Sequence, residues 1–123
     1  MGKERPFYLN IGALNCQGLE DKIDYPELYK TISSCDIFGT SETWLGEESE
    51  GNIKVKNYEF FPLRRVKYKR GGLGIFIKND LIPYVKIRKD LSCENFLWCQ
   101  LKKQYFGYCD DVYIGMVYFP PET

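Results

Sequence analysis

The chain alternates apolar runs of strand length with short polar stretches that punctuate them. "FYLNIGALN", Phe7 to Asn15, carries apolar residues on both faces, the pattern of a central strand. Gly18 marks a loop after it. Tyr25, Leu28, Tyr29 and Ile32 then fall at i, i+3, i+4 and i+7, one helical stripe. Pro26 sits in the first turn, and Asp24 with Glu27 has the spacing of a capping box. A second apolar run follows, Asp36 to Glu42. Strand, short helix, strand is a βαβ unit, so these two strands are expected to be parallel with a right-handed crossover.

From Glu47 the pattern changes. "GEESEGNIK" is a polar, acidic loop, "YEFFPL" a short strand ended by Pro62, and "RRVKYKRGG" a basic loop. "LGIFIKNDLIPYVKI" reads as a hairpin turning near Asn79 and Asp80. "NFLWCQLKK" and "DDVYIGMVYF" read as two more strands, the last stopped by Pro120 and Pro121. The pattern gives about seven strands and one or two helices, an α/β class. A sheet that is apolar on both faces needs cover on both. One short helix does not provide it, so either a second sheet packs on the first or part of the domain lies outside these residues.

Composition narrows the picture. The 123 residues suit one modest domain, and 44% hydrophobic with 16% aromatic content demands a core. The 17 basic and 17 acidic residues cancel, so only local clusters, not net charge, speak for a nucleic acid or membrane partner. No apolar run approaches the ~18 residues of a membrane span. "MGKERPFYLN" lacks an apolar signal core, so an intracellular protein without a membrane partner is expected. The five cysteines are odd in number, contain no C-x-x-C, and are read as free, mostly buried thiols. There is no histidine, which removes mixed cysteine–histidine zinc sites and Ser-His-Asp or Cys-His catalysis.

The candidate chemistry lies at strand ends. Asn15 ends the first strand and Glu42 the second, so parallel pairing brings both to the carboxyl edge, where open α/β sheets place their sites. An amide and a carboxylate there suit a hard cation. Mg²⁺ takes oxygen ligands at ~2.1 Å, often one or two carboxylates plus water and substrate phosphate. The alternative is that Glu42 caps a turn and Asn15 bonds loop backbone. Arg64, Arg65, Lys67, Lys69 and Arg70 put five cations in seven residues, running into Gly71 and Gly72. That cluster suits phosphate contacts, with Tyr68 available to stack on a base. A solvated loop balanced by Glu47, Glu48 and Glu50 is the other reading, and a nuclear-import patch a third. Tyr118 closes the last strand, where its hydroxyl reaches a phosphate or merely covers an edge.

Together, "LNIGALNCQGL", "CDIFGTSETWL", "KRGGLGIFIKN", "ENFLWCQL" and "VYIGMVYFPPE", in that order, resemble the endonuclease/exonuclease/phosphatase superfamily. The likeness is strongest to the apurinic-type endonuclease domains of non-LTR retrotransposons, which accompany a reverse transcriptase, and covers Phe7 to Glu122. It implies a four-layer α/β sandwich with two mixed sheets face to face and helices outside, the second sheet being contributed by the second half of the domain. It implies Mg²⁺-dependent (or Mn²⁺-dependent) hydrolysis of phosphodiesters. Asn15 matches the asparagine that helps hold metal and phosphate, Glu42 the metal-ligating glutamate, and Tyr118 the active-site tyrosine. Arg70 falls in a DNA-facing loop region.

Two groups that the resemblance requires are absent. No Asp-x-Asn occurs to position the attacking water, and no Ser-Asp-His occurs to pair with the scissile phosphate. Residues 1–123 therefore read as the N-terminal half of such a domain, with the C-terminal half missing. Losing one general acid–base group costs roughly 10²–10⁴ in rate, so the half is expected to bind Mg²⁺ weakly and to be inactive alone. DNA is the expected partner once the fold is completed, and self-association through an exposed sheet face is expected meanwhile. The competing readings are an active enzyme completed by a partner chain or homodimer, a non-catalytic half-domain that binds nucleic acid or protein, and a phosphatase of the same superfamily.

Overall fold

The computed structural model describes residues 8–64 and 71–119. Its strands are β1 (Ile11–Asn15), β2 (Ile37–Ser41), β3 (Tyr58–Leu63), β4 (Leu73–Lys78), β5 (Val85–Ile87), β6 (Phe96–Leu101) and β7 (Val112–Val117). The helices are α1 (Pro26–Ser33) and the short α2 (Lys103–Phe106). Two sheets form, one of four strands in the order β1-β2-β4-β3 and one of three in the order β5-β6-β7. The class is the mixed α/β arrangement expected, with the seven strands divided between two sheets. Among the described residues no helix is long and apolar enough to cross a membrane.

Alternation along β2 and β4 explains the layering. Phe38 and Phe76 point to one face and meet Leu28 and Ile32 of α1, together with Leu19, Leu45, Ile53 and Val55. Ile37, Ile75 and Ile77 point to the other face and meet Leu97, Cys99 and Leu101 of β6. Adjacent strand residues face opposite sides of a sheet, so one run of consecutive apolar residues feeds both cores. Burying each of these side chains is worth about 1.5–3 kcal/mol. Glycine permits the closest approaches. A Cβ on Gly39 would stand 2.6 Å from Met116 Sδ of β7, and one on Gly74 would stand 2.4 Å from the Phe60 ring.

Several local expectations change. β1 and β2 are parallel as read, Ile11 opposite Ile37 through Asn15 opposite Ser41. Yet among the described residues β1 lies at the edge of its sheet rather than in the centre, with Ile11 and Leu14 exposed. The capping box does not form: Tyr25 occupies the N-cap of α1 and makes no side-chain cap bond. Only half of the helical stripe is buried, Leu28 and Ile32, while Tyr25 and Tyr29 face solvent. Pro62 does not end β3 but pairs with Gly74 within it. An edge strand tolerates this, because the missing N–H can point away from the ladder.

The run Leu73 to Ile87 is not a hairpin. β4 is flanked by β2 and β3 on both edges, leaving no edge for β5. The chain instead turns through a 3-10 segment, Asn79–Tyr84, and crosses into the second sheet. A second sheet thus begins within these residues rather than only in the second half. All five cysteines are free; Cys16 and Cys99 are buried, Cys35 is half-buried, and Cys93 and Cys109 are exposed.

Candidate active site

The parallel pairing of β1 and β2 brings Asn15 opposite Ser41, one residue before Glu42. Beyond Ser41 the chain leaves the sheet, and three loops lace together. On one side the amides of Cys16, Gly18 and Leu19 donate to the carbonyls of Ser41 (2.8 Å), Glu42 (2.8 Å) and Thr43 (3.0 Å). On the other, the amides of Thr43 and Trp44 donate to the carbonyls of Gly72 (3.3 Å) and Gly71 (2.9 Å). Lys22 Nζ pins the first loop by donating to the carbonyls of Cys16 and Gln17, each at 2.6 Å.

This lacing holds backbone that would not hold itself. Gln17, Glu42 and Trp44 adopt φ of 48°, 54° and 55°. Left-handed backbone costs a non-glycine residue about 1–2 kcal/mol, and such residues persist where their surroundings over-determine them, often at functional sites. Gly72 has to be glycine twice over: its φ is +91°, and a Cβ would stand 2.5 Å from Thr43 Oγ1.

The side chains follow from this backbone. Glu42 is only 8% exposed, so its carboxylate is placed in a largely dry setting. Trp44 Nε1 donates to Glu42 Oε2 at 2.6 Å, a short charge-assisted bond. Asn15 is exposed and borders a cleft of about 350 Å³ between β1 and α1. Pleat alternation puts it on the face shared by Ser41, Gly39 and Ile37, the face turned to the second sheet. Tyr118 follows β7 and, like Ile114 and Met116, is half-buried against the core between the sheets. Its amide donates to the Asn95 carbonyl at 3.1 Å.

Of the basic segment, Arg64 is described. Its Nε lies 3.1 Å from Glu50 Oε2, the balancing acidic residue of the solvated-loop reading. Arg65, Lys67, Lys69 and Arg70 lie outside the described residues. Gly71 and Gly72, where the described chain resumes, accept through their carbonyls from the two amides that follow Glu42. Sequence reasoning gave that glycine pair a phosphate-facing role and gave Trp44 none. The Trp44 indole two residues after the carboxylate was the available signal.

The donor set fits a hard cation of modest demand. Among the described residues no group of three or more histidine, cysteine, aspartate or glutamate side chains could hold a metal. Glu42 as a single carboxylate beside the Asn15 position matches the sparse protein ligation of Mg²⁺, which keeps several waters. It does not match the closed nitrogen and sulfur cage of structural zinc.

No protein-family model and no curated protein sequence matches the chain. Among solved structures it is similar to an AP endonuclease from Leishmania major, LMAP, with a TM-score of 0.65 at 14% identity. The fold is shared with that endonuclease. The match covers 88% of this chain and 38% of that one, so the chain spans well under half the length of LMAP.

Proposed function

We propose that these residues are the N-terminal portion of a Mg²⁺-dependent DNA endonuclease of the apurinic, retrotransposon-associated kind, inactive on their own. The observation that carries the reading is Glu42. It stands at the carboxyl end of a buried parallel strand, in left-handed backbone held by three loops, with its carboxylate oriented by an indole. A fold seldom maintains such strain around a carboxylate without use for it. The AP endonuclease likeness supports the reaction class.

In this reading Glu42 and the Asn15 amide hold the ion, with Mn²⁺ as a substitute. When bound, the ion polarises a phosphoryl oxygen and offsets charge that develops there. The chain's own work is positioning. The laced loops fix Glu42, the cations of the basic segment guide the phosphate backbone, and Tyr118 follows β7, the strand stacked over β2. Neither an Asp-x-Asn nor a histidine is present to activate water or to pair with the scissile phosphate.

The test is incubation with supercoiled plasmid and Mg²⁺, beside Glu42→Ala. No nicked circles are expected from either protein. Wild-type nicking that Glu42→Ala abolishes would overturn the claim of inactivity and keep the site. A second reading, a non-catalytic nucleic-acid module, is favoured by the cluster of five cations from Arg64 to Arg70 in the sequence. Under it DNA binding survives Glu42→Ala and falls when Arg65, Lys69 and Arg70 are replaced together.

A further inference from the structure

We infer that Trp44 is the positioning residue of this site: its indole N–H holds one oxygen of Glu42 so that the other is presented to a divalent cation. The inference rests on the reading of Glu42 as a metal ligand. A glutamate carboxylate has three side-chain torsions, and most of its orientations would not serve an ion. Here Trp44 Nε1 takes Oε2 at 2.6 Å. The indole holds Oε2, and Oε1 is not the oxygen it takes. Ligation therefore runs through a single oxygen, the mode that a small, heavily hydrated ion such as Mg²⁺ accepts.

Trp44 is itself fixed. Its backbone is left-handed at φ 55°, its amide is bound to the Gly71 carbonyl, and its ring lies against Gly18. An ideal Cβ at Gly18 would come 3.0 Å from the ring, so the glycine makes room for the indole. The arrangement is the metal-site logic in which an outer partner orients the ligand, and removing such a partner typically lowers metal affinity about 10–100-fold. A tryptophan that only covered the loops would need no N–H aimed at a carboxylate.

The chain contains two tryptophans, so two indole N–H resonances report on it. The experiment is an Mg²⁺ titration of the whole chain, followed by those resonances and by calorimetry, on wild type, Trp44→Phe and Glu42→Ala. Without metal, the Trp44 indole proton is expected downfield of the Trp98 one and slow to exchange, and to move upfield in Glu42→Ala. With metal, the Trp44 resonance shifts while Trp98 stays, and Trp44→Phe weakens Mg²⁺ binding about tenfold or more with the circular dichroism unchanged. The wild-type indole resonance needs no substitution, so it decides the matter even if Trp44→Phe fails to fold. Equal Mg²⁺ affinity in folded Trp44→Phe, or a Trp44 resonance indifferent to both Glu42→Ala and Mg²⁺, would overturn the positioning role while leaving the metal site standing. No Mg²⁺ binding by wild type would overturn the metal reading and, with it, this inference.

Discussion

The two sheets are built from equally apolar strands and end in different states. In the first, all five residues of β2 and five of the six in β4 are buried. In the second, β7 alternates between half-buried and exposed positions, and Tyr113, Val117 and Phe119 face solvent. The difference is one of neighbours. β2 and β4 have a strand on each edge, α1 and its loops on one face and the second sheet on the other. β7 has β6 on one edge and nothing described on the other. Since β7 stacks over β2 and β6 over β4, the open edge of β7 lies on the same flank as that of β1. Stability in this chain is therefore concentrated around β2 and β4, the strands that also carry the candidate site.

The sharpest way to break this contrast is to remove one large side chain from each sheet. Phe76 is fully buried and packs at 4.6 Å, centroid to centroid, on Phe60. Phe76→Ala should cost about 3–5 kcal/mol in urea unfolding, whereas Val117→Ala on the open face should cost under about 0.5 kcal/mol. Comparable losses would mean that β7 is covered in solution. Next is the seam between the sheets. Gly39→Ala drives a Cβ to within 2.6 Å of Met116 Sδ and should destabilise by about 1–3 kcal/mol. Met116→Ala in the same chain should recover most of that loss, and a double-mutant cycle without coupling would break the inferred stacking of β7 on β2.

The smallest expected effect concerns the thiols. Burial pushes the Cys16 and Cys99 thiols up to about 11 from an ordinary 9.0. A thiol harder to ionise in the fold than in the unfolded chain contributes stability that is complete below pH 9 and is lost as the pH rises toward 11. The urea midpoint should fall across that window, and by less in Cys99→Ala. Below it, a thiol reagent should label Cys93 and Cys109 in the native protein and reach Cys16 and Cys99 only after unfolding. Rapid native labelling of Cys99 would show that the sheets part readily.

Much of this architecture was legible in the residues. Periodicity placed α1 and both strands of the βαβ unit, and strand ends marked Asn15 and Glu42 as edge neighbours. What stayed hidden was long-range pairing. Whether Leu73 to Ile87 turns back or crosses depends on β4 already having β2 and β3 beside it, which no local pattern encodes. For the same reason β1 read as central: Ile11 and Leu14 are apolar enough for the middle of a sheet, yet they sit at its edge. The placement of a carboxylate and an amide at adjacent strand ends was legible, but the clamp on the Glu42 loop was not, because the bonds to the Gly71 and Gly72 carbonyls join distant parts of the chain.

That clamp has a consequence for inheritance. Gly72 cannot acquire a side chain without meeting both its own φ and Thr43 Oγ1, and one at Gly18 would meet a φ of +99° and crowd the Trp44 ring. Positions 18, 43, 44 and 72 are thus bound to drift together or not at all. In descendants of this sequence, a lineage that replaces either glycine should be found to have already given up the tryptophan or the threonine, and the strained glutamate between them should then be released to vary.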